Sequence, residues 1–272
     1  ASNNTAVGSV ALLNNTTGTQ LVAVGSNALD ANTTGAFNTA VGHNSLGANT
    51  TADYNTAIGI SSLAANTTGG QNVALGSQAL AANTTASHNT AVGHESLDAN
   101  TTGTSNTALG RGALTSNTTA DNNTGLGRQA LAVNSTGANN VAVGANALDA
   151  NTTASDNIAI GHNSLGANTT GTLNIGIGSL TGDAITTGDQ NIAIGYRSLS
   201  ANQTGGQNIA IGVDALKLST ADNNTAVGYD TLKANTTGTQ NVAIGALALD
   251  ANTTGGYSVA VGYNALSAAT TG

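Results

Sequence analysis

The sequence predicts an all-β fold: a β-solenoid, or parallel β-roll, of 16 coils, each built from a 17-residue unit. Three observations predict it. The pentapeptide Asn-[Thr/Val/Ile]-Ala-[Val/Ile/Leu]-Gly recurs from Gly8, Gly25 and Gly42 to Gly262. That spacing of its glycines holds throughout, except that Gly212 and Gly228 stand one position closer. Thr, Val, Ile and Leu flank the central Ala in the short run expected of a strand. Leu stands four places after the glycine in 15 of the 16 units, Gly182 being the exception. Aliphatic residues thus keep register where a random polar tract would scatter them.

A fixed short period means stacked coils, each touching only its neighbours. Paired helices need roughly 20 to 45 residues per unit, more than this unit holds. No linker or composition shift interrupts the array, which reads as a single continuous repeat domain over residues 1–272. At about 4.8 Å per coil, sixteen coils would span on the order of 75 Å.

Each unit is numbered here from place 1 to place 17, with the recurring glycine at place 7 and the first unit at residues 2–18. Places 3 to 6 predict a strand, in which alternate side chains share a face. Burying the β-branched residues points Val141 with Val143, and Ile158 with Ile160, inward, and leaves Ala142 and Ala159 outside. On this reading Val143→Asp unfolds or frays the coil. Glycine at place 7 bends the chain. Places 10 to 13 form a second segment, with Leu at place 11 and Ala at place 13 on the inner face. Asn-Thr-Thr-Gly closes the coil, and the shortened unit at residues 206–221 predicts a local irregularity.

Charge placement supports an outer set of places. All 18 charged residues fall at places 1, 2, 8, 9 or 12, and the six aromatics and four histidines at places 2 or 8. Buried unpaired charge is costly, so these places are expected outside. The core is then aliphatic and too narrow for a ring.

Composition narrows the function classes. Aromatics are 2 %, charged residues 7 %, and Pro, Cys, Met and Trp are absent, a poor match to a globular enzyme. A net charge of −8 argues against nucleic acid, which needs a basic footprint. No apolar run approaches the roughly 18 residues of a membrane span, and the start carries no signal peptide. The lack of Met points to a mature or excised piece. Lack of Cys excludes disulfides and thiolate metal sites.

Asn at place 3, present in 14 of 16 units, predicts a ladder of stacked side chains. Asn-Thr-Thr carries two readings. One is turn chemistry, in which Asn and Thr satisfy corner backbone groups. The other is N-glycosylation of the sequon asparagines Asn32, Asn49, Asn66, Asn83, Asn100, Asn117, Asn134, Asn151, Asn168, Asn202, Asn235 and Asn252. The threonine rows raise ice binding, although adjacent Thr in extended chain face opposite ways, leaving one outward per coil. His43, His94 and His162 share place 8 but lie several coils apart, too far for one metal site. The aspartates lack the GGxGxD calcium repeat. No Ser/His/Asp constellation, phosphate loop or carboxylate pair stands out, so the chain reads as no enzyme, with no cofactor and no metal.

Ala at place 5 is nearly invariant, yet the alternation puts it outside. Uniform smallness there predicts close packing of another backbone, either a further segment of the same coil or, as the favoured reading, a neighbouring chain, on Ala40, Ala57, Ala74, Ala91, Ala108, Ala142, Ala159, Ala193, Ala210, Ala226 and Ala243.

The stretches Asn140-Val141-Ala142-Val143-Gly144-Ala145-Asn146-Ala147 and Asn208-Ile209-Ala210-Ile211-Gly212 resemble the repeat of YadA-like heads. Those are left-handed parallel β-rolls of trimeric autotransporter adhesins on bacterial surfaces, with a shorter unit than the one here. The longer pattern also resembles repeats of bacterial and phage tail-fibre-like proteins. The resemblance covers the whole chain and implies an extended, extracellular or cell-surface, trimeric stalk or fibre. Weak capping of the terminal units adds the expectation of end-to-end filaments. The leading expectation is therefore a structural fibre segment that self-associates as a homotrimer or filament. The alternative is an adhesin or ligand-binding module for a glycan, a host surface or ice.

Overall fold

The computed structural model describes residues 1–271 and is all-β among them. The chain divides into two compact stretches, Ala1–Ala138 and the residues from Asn139 onward. Strands β1 (Thr5–Val7) to β8 (Thr124–Leu126) lie in the first, and β9 (Val141–Val143) to β16 (Val259–Val261) in the second. Each strand occupies places 4 to 6 of its unit. Within each stretch every strand pairs in parallel with the next, place for place, as in Ala40 opposite Ala57 and Ala193 opposite Ala210.

Axial hydrogen bonding extends far beyond these strands. Val22 N donates to Asn38 O and Gly25 N to Val7 O, so consecutive parts of one coil bond to opposite neighbours. Leu29 N reaches Ser45 O, Ala31 N reaches Gly47 O, and both Thr33 N and Thr34 N reach Thr50 O. A coil is therefore a nearly continuous rung, although only places 4 to 6 are regular strand.

Left-handed residues give the rung its corners. Places 2, 9 and 11 have positive φ almost throughout: Phe37 at 58°, Asn44 at 55° and Leu46 at 50°. Such conformations strain most L-residues, so stacking must hold them in place. Place 7 demands more. Gly42 has φ 135°, and a Cβ there would lie 2.4 Å from Gly59 O of the next coil. Backbone conformation and coil spacing both require glycine at that place.

The inward face of the strand is opposite to the sequence expectation. The middle residue is buried in every strand but β1, while the flanking residues are half-buried or exposed in all sixteen. Ala40, Ala57, Ala74, Ala91, Ala108, Ala142, Ala159, Ala193, Ala210, Ala226 and Ala243 have no exposed surface within the single chain. They form the core, and no partner chain can rest on them. Val141, Val143, Ile158 and Ile160 face outward instead.

Space explains the inversion. At the two units with Gly in place 5, a Cβ on Gly176 would stand 2.9 Å from Leu165 Cγ, and one on Gly125 3.3 Å from Leu114 Cγ. The strand lies so close to the Leu of place 11 that only Ala or Gly fits between.

The second segment also departs from simple alternation. Places 10 and 11 are both buried, as in Ala28 with Leu29 and Ser45 with Leu46, because the left-handed residue at place 11 breaks the period of two. Ala at place 13 is only half-buried in most units. The interior is thus chiefly Leu, Ala, Ser and Asn, and of all the Val and Ile residues only Ile185 is buried among the described residues.

The shortened unit shows the expected irregularity and locates the gap. Thr220 Oγ1 bonds to Thr236 O as a place 15 residue does, and Ala221 O accepts Asn208 Nδ2 as a place 17 carbonyl does. The omitted residue is place 16, an exposed corner, and the strand register of Ile209 opposite Thr225 is unaffected.

Ala57→Leu should therefore destabilise by about 1–3 kcal/mol through overpacking. Its neighbour Ile58→Asp should cost about 1 kcal/mol or less as a surface change of the single chain, measured at a dilution where the protein is monomeric. Thermal melts followed by far-UV circular dichroism separate the two, and the reverse ranking would restore the β-branched residues to the interior.

Candidate functional surfaces

The sequon asparagines are buried, like most of those at place 3. Asn32, Asn49, Asn66, Asn83, Asn100, Asn117, Asn134, Asn151, Asn168, Asn202, Asn235 and Asn252 are each at most 1 % exposed. Asn49 Nδ2 donates to Asn32 Oδ1 at 2.9 Å and to Ala52 O at 3.1 Å, and Asn66 repeats the pattern with Asn49 and Gly69. A glycan on these nitrogens would replace an interior amide proton and force the coil open, so the folded chain cannot carry it. Turn chemistry is the reading that stands, deepened into an interior ladder.

The place 3 asparagines are tied differently. Asn38 Oδ1 accepts Asn55 N at 2.8 Å, and Asn38 Nδ2 donates to Ala52 O at 2.7 Å. The expected ladder of side chain on side chain belongs chiefly to place 14, while place 3 mostly bridges side chain to backbone. Both asparagines of a unit meet on its place 17 carbonyl.

Three units lack Asn at place 14, carrying Ile185, Ser219 and Ala269 instead, and in the first of these the interior is repacked. Ile185 replaces Asn there, and Gly182 replaces Leu at place 11 of the same unit. The Ile185 side chain fills the missing leucine's space: a Cβ on Gly182 would lie 2.9 Å from Ile185 Cδ1. Asn168 Oδ1, which would accept from an Asn at 185, is left buried without a hydrogen bond. Ile185→Asn alone should cost about 2–4 kcal/mol by opening a void, and Gly182→Leu alone about 1–3 kcal/mol by overpacking. The double variant restores the common pair and should recover most of the loss. A double-mutant cycle in chemical denaturation measures this coupling, and additive losses would contradict it.

The corner threonines divide as expected. Thr33 Oγ1 bonds to Thr50 O at 3.0 Å, whereas Thr34 and Thr51 at place 16 are exposed. Asp at place 1 serves the backbone: Asp53 Oδ1 accepts Ala36 N at 2.7 Å and Asp121 Oδ1 accepts Thr104 N at 2.6 Å. His43, His94 and His162 are exposed at corners, and no cluster of three metal-binding side chains occurs among the described residues. Phe37 and Tyr54 stack in adjacent coils with centroids 4.8 Å apart.

Not every charge is external. Asp214 and Asp230, at place 9, are 7 % and 8 % exposed. They are buried because they are paired, an arrangement the placement rule could not anticipate. Arg197 grips Asp214 with two contacts of 3.1 and 3.2 Å and lies 4.8 Å over the Tyr196 ring. Lys217 and Lys233 approach Asp214 at 3.6 and 3.8 Å, and Lys233 bonds to Asp230 at 2.9 Å. The hydrogen bond to Asp214 holds the Arg197 pKa above its ordinary value, and that to Asp230 does the same for Lys233.

Asp98 shows the opposite condition. Burial raises its pKa above the usual carboxylate range, the Glu95 charge adds to the rise, and His94 opposes it. A carboxyl with a raised folded pKa destabilises the fold when ionised. That cost is present above the folded pKa and disappears below the unfolded value of about 4. Asp98→Asn should therefore raise the melting temperature at neutral pH, with the gain shrinking as pH falls toward about 4. A gain independent of pH would exclude titration as its cause.

Two surfaces not anticipated from sequence emerge. The first is the outward strand face at places 4 and 6. Every residue at those two places is Thr, Val, Ile or Leu, and Ile58, Leu109, Ile160 and Ile244 are 39–43 % exposed. The signal for it lay in the charge census, since these places never carry charge. The second is a polar groove of about 330 Å³ lined by Thr187, Asp189, Gln190, Thr204, Gly206, Gln207, Asp222 and Asn223. It lies beside the omitted place 16. No protein-family model matches the chain, and no curated protein matches its sequence.

Proposed function

We propose that the chain is a non-enzymatic structural segment of an extracellular or cell-surface fibre, assembled side by side with copies of itself. The charge-free outward strand face carries this reading. Places 1, 2, 8, 9 and 12 hold all 18 charged residues, while places 4 and 6 hold none in any unit. A charge-free face of exposed aliphatic side chains suits cover by a partner.

The occupant this face fits is a second copy. Eight strands in each stretch, at about 4.8 Å spacing and about 10 Å width, present on the order of 400 Å². That is comparable to the largest apolar patches of monomeric proteins, which often mark interfaces. A flat array of aliphatic and threonine side chains with a fixed pitch is best matched by another array with the same pitch. The resemblance to YadA-like head repeats favours a homotrimer and a location outside the cell.

Sedimentation or light scattering tests the assembly. A multiple of 26.2 kDa, three-fold if the homotrimer is right, should be the native mass. Ile58→Lys with Leu109→Lys should shift the mass to the monomer while leaving the β-rich spectrum intact. A monomeric native protein at high concentration, or an assembly indifferent to both lysines, would overturn the reading.

A further inference from the structure

We infer that the polar groove at the shortened unit is a binding site for a neutral saccharide of one or two sugar units. The groove occurs where the array departs from its own rule. The shortened unit omits the threonine that would stand at place 16, and its place 1 is Gly206. Asp189 and Asp222 occupy place 1 in the coils on either side. A corner that elsewhere carries a threonine is here a recess of about 330 Å³, within the range of small-ligand sites.

The lining chemistry selects the ligand class. One oxygen of each carboxylate is already engaged: Asp189 Oδ1 accepts from Thr172 and Asp222 Oδ1 from Gly206 N. These bonds fix both carboxylates while leaving their Oδ2 atoms as acceptors. Gln207 Nε2 donates to Gln190 Oε1 at 3.2 Å, which orients two carboxamides side by side. Each retains a donor and an acceptor. Thr187 and Thr204 add their hydroxyls to the same lining. Hydrogen-bonded carboxylates and carboxamides, with hydroxyls between them in mixed order, match vicinal sugar hydroxyls, each both donor and acceptor. Two carboxylates and no cation in the lining disfavour phosphate, sulfate and acidic sugars. An apolar ligand finds no aliphatic wall.

The site lies at places 16, 1 and 2, away from the outward strand face at places 4 and 6. It does not depend on self-association and can be tested separately. The intact chain is screened against an array of neutral and acidic glycans. Titration calorimetry with maltose, cellobiose and lactose follows, with calcium ion and putrescine as control arms. Binding of a neutral sugar is expected.

Insertion of Thr between Thr220 and Ala221 restores the full-length unit and should weaken that binding at least ten-fold without lowering the melting temperature. Gln190→Gly gives a second probe that does not alter unit length. It removes a carboxamide from a left-handed position, where glycine is the least strained residue, and should also weaken binding ten-fold or more. No neutral sugar bound at millimolar concentration, a preference for calcium, putrescine or acidic glycans, or binding unchanged in both variants would overturn the assignment.

Discussion

Two buried asparagine amides meet on one carbonyl in most units, and the coil depends on that junction. Asn38 and Asn49 both donate to Ala52 O, and Asn55 and Asn66 both donate to Gly69 O. The bonds join the start of a strand to the closing corner of the same unit, and further bonds from the same side chains reach the next coil. An unpaired amide in such an interior would cost about 1–3 kcal/mol. The asparagines are tolerated because nearly every donor and acceptor is used, and each coil supplies partners for the next. Stability is consequently a property of the stack.

The thinness of the coil follows from the same junction. Drawn together by its interior amides, the rung leaves room for one leucine and one alanine between its walls. Large aliphatic side chains that would normally fill a core are displaced to the outer strand face. Ile185 is the exception that shows the rule, entering the interior only in the unit whose leucine is absent. Its consequence appears one coil away, where Asn168 Oδ1 loses its partner. A packing change in one unit thus becomes a hydrogen-bonding change in the next.

A rung saturated with internal bonds has little freedom to build chemistry inside. Function has to be carried by what projects from it. The proposed division assigns assembly to the uniform faces and recognition to the irregular corner. A periodic face suits a periodic partner, because every coil repeats the same contact. A small ligand needs a distinct place, and the shortened unit provides one. The ion-paired Asp214 and Asp230 lie on other places of the coils around the same unit, where carboxylates are screened by Arg197, Lys217 and Lys233. Two neighbouring carboxylate environments therefore differ: one is neutralised within the chain, and the other is left open in the groove.

The sequence by itself determined the period, the strand at each pentapeptide, the corner glycine and the position of the irregular unit. Each of these depends on local conformation or on repetition, and both are written along the chain. It also determined that Leu at place 11 is interior and that one corner threonine is outward. Only the tertiary structure decided which face of the short strand points in. Alternation specifies two faces but not their direction, and the usual preference for burying Val and Ile pointed the wrong way. The deciding quantity was the distance between opposite walls of the coil, which admits the Ala methyl and excludes the larger side chains. The same distance sealed the asparagines that sequence placed at an accessible corner, and it moved the candidate partner surface from Ala40 and its equivalents to the aliphatic columns beside them. No single repeat encodes that distance, because it is set by contacts between residues far apart along the coil and between one coil and the next.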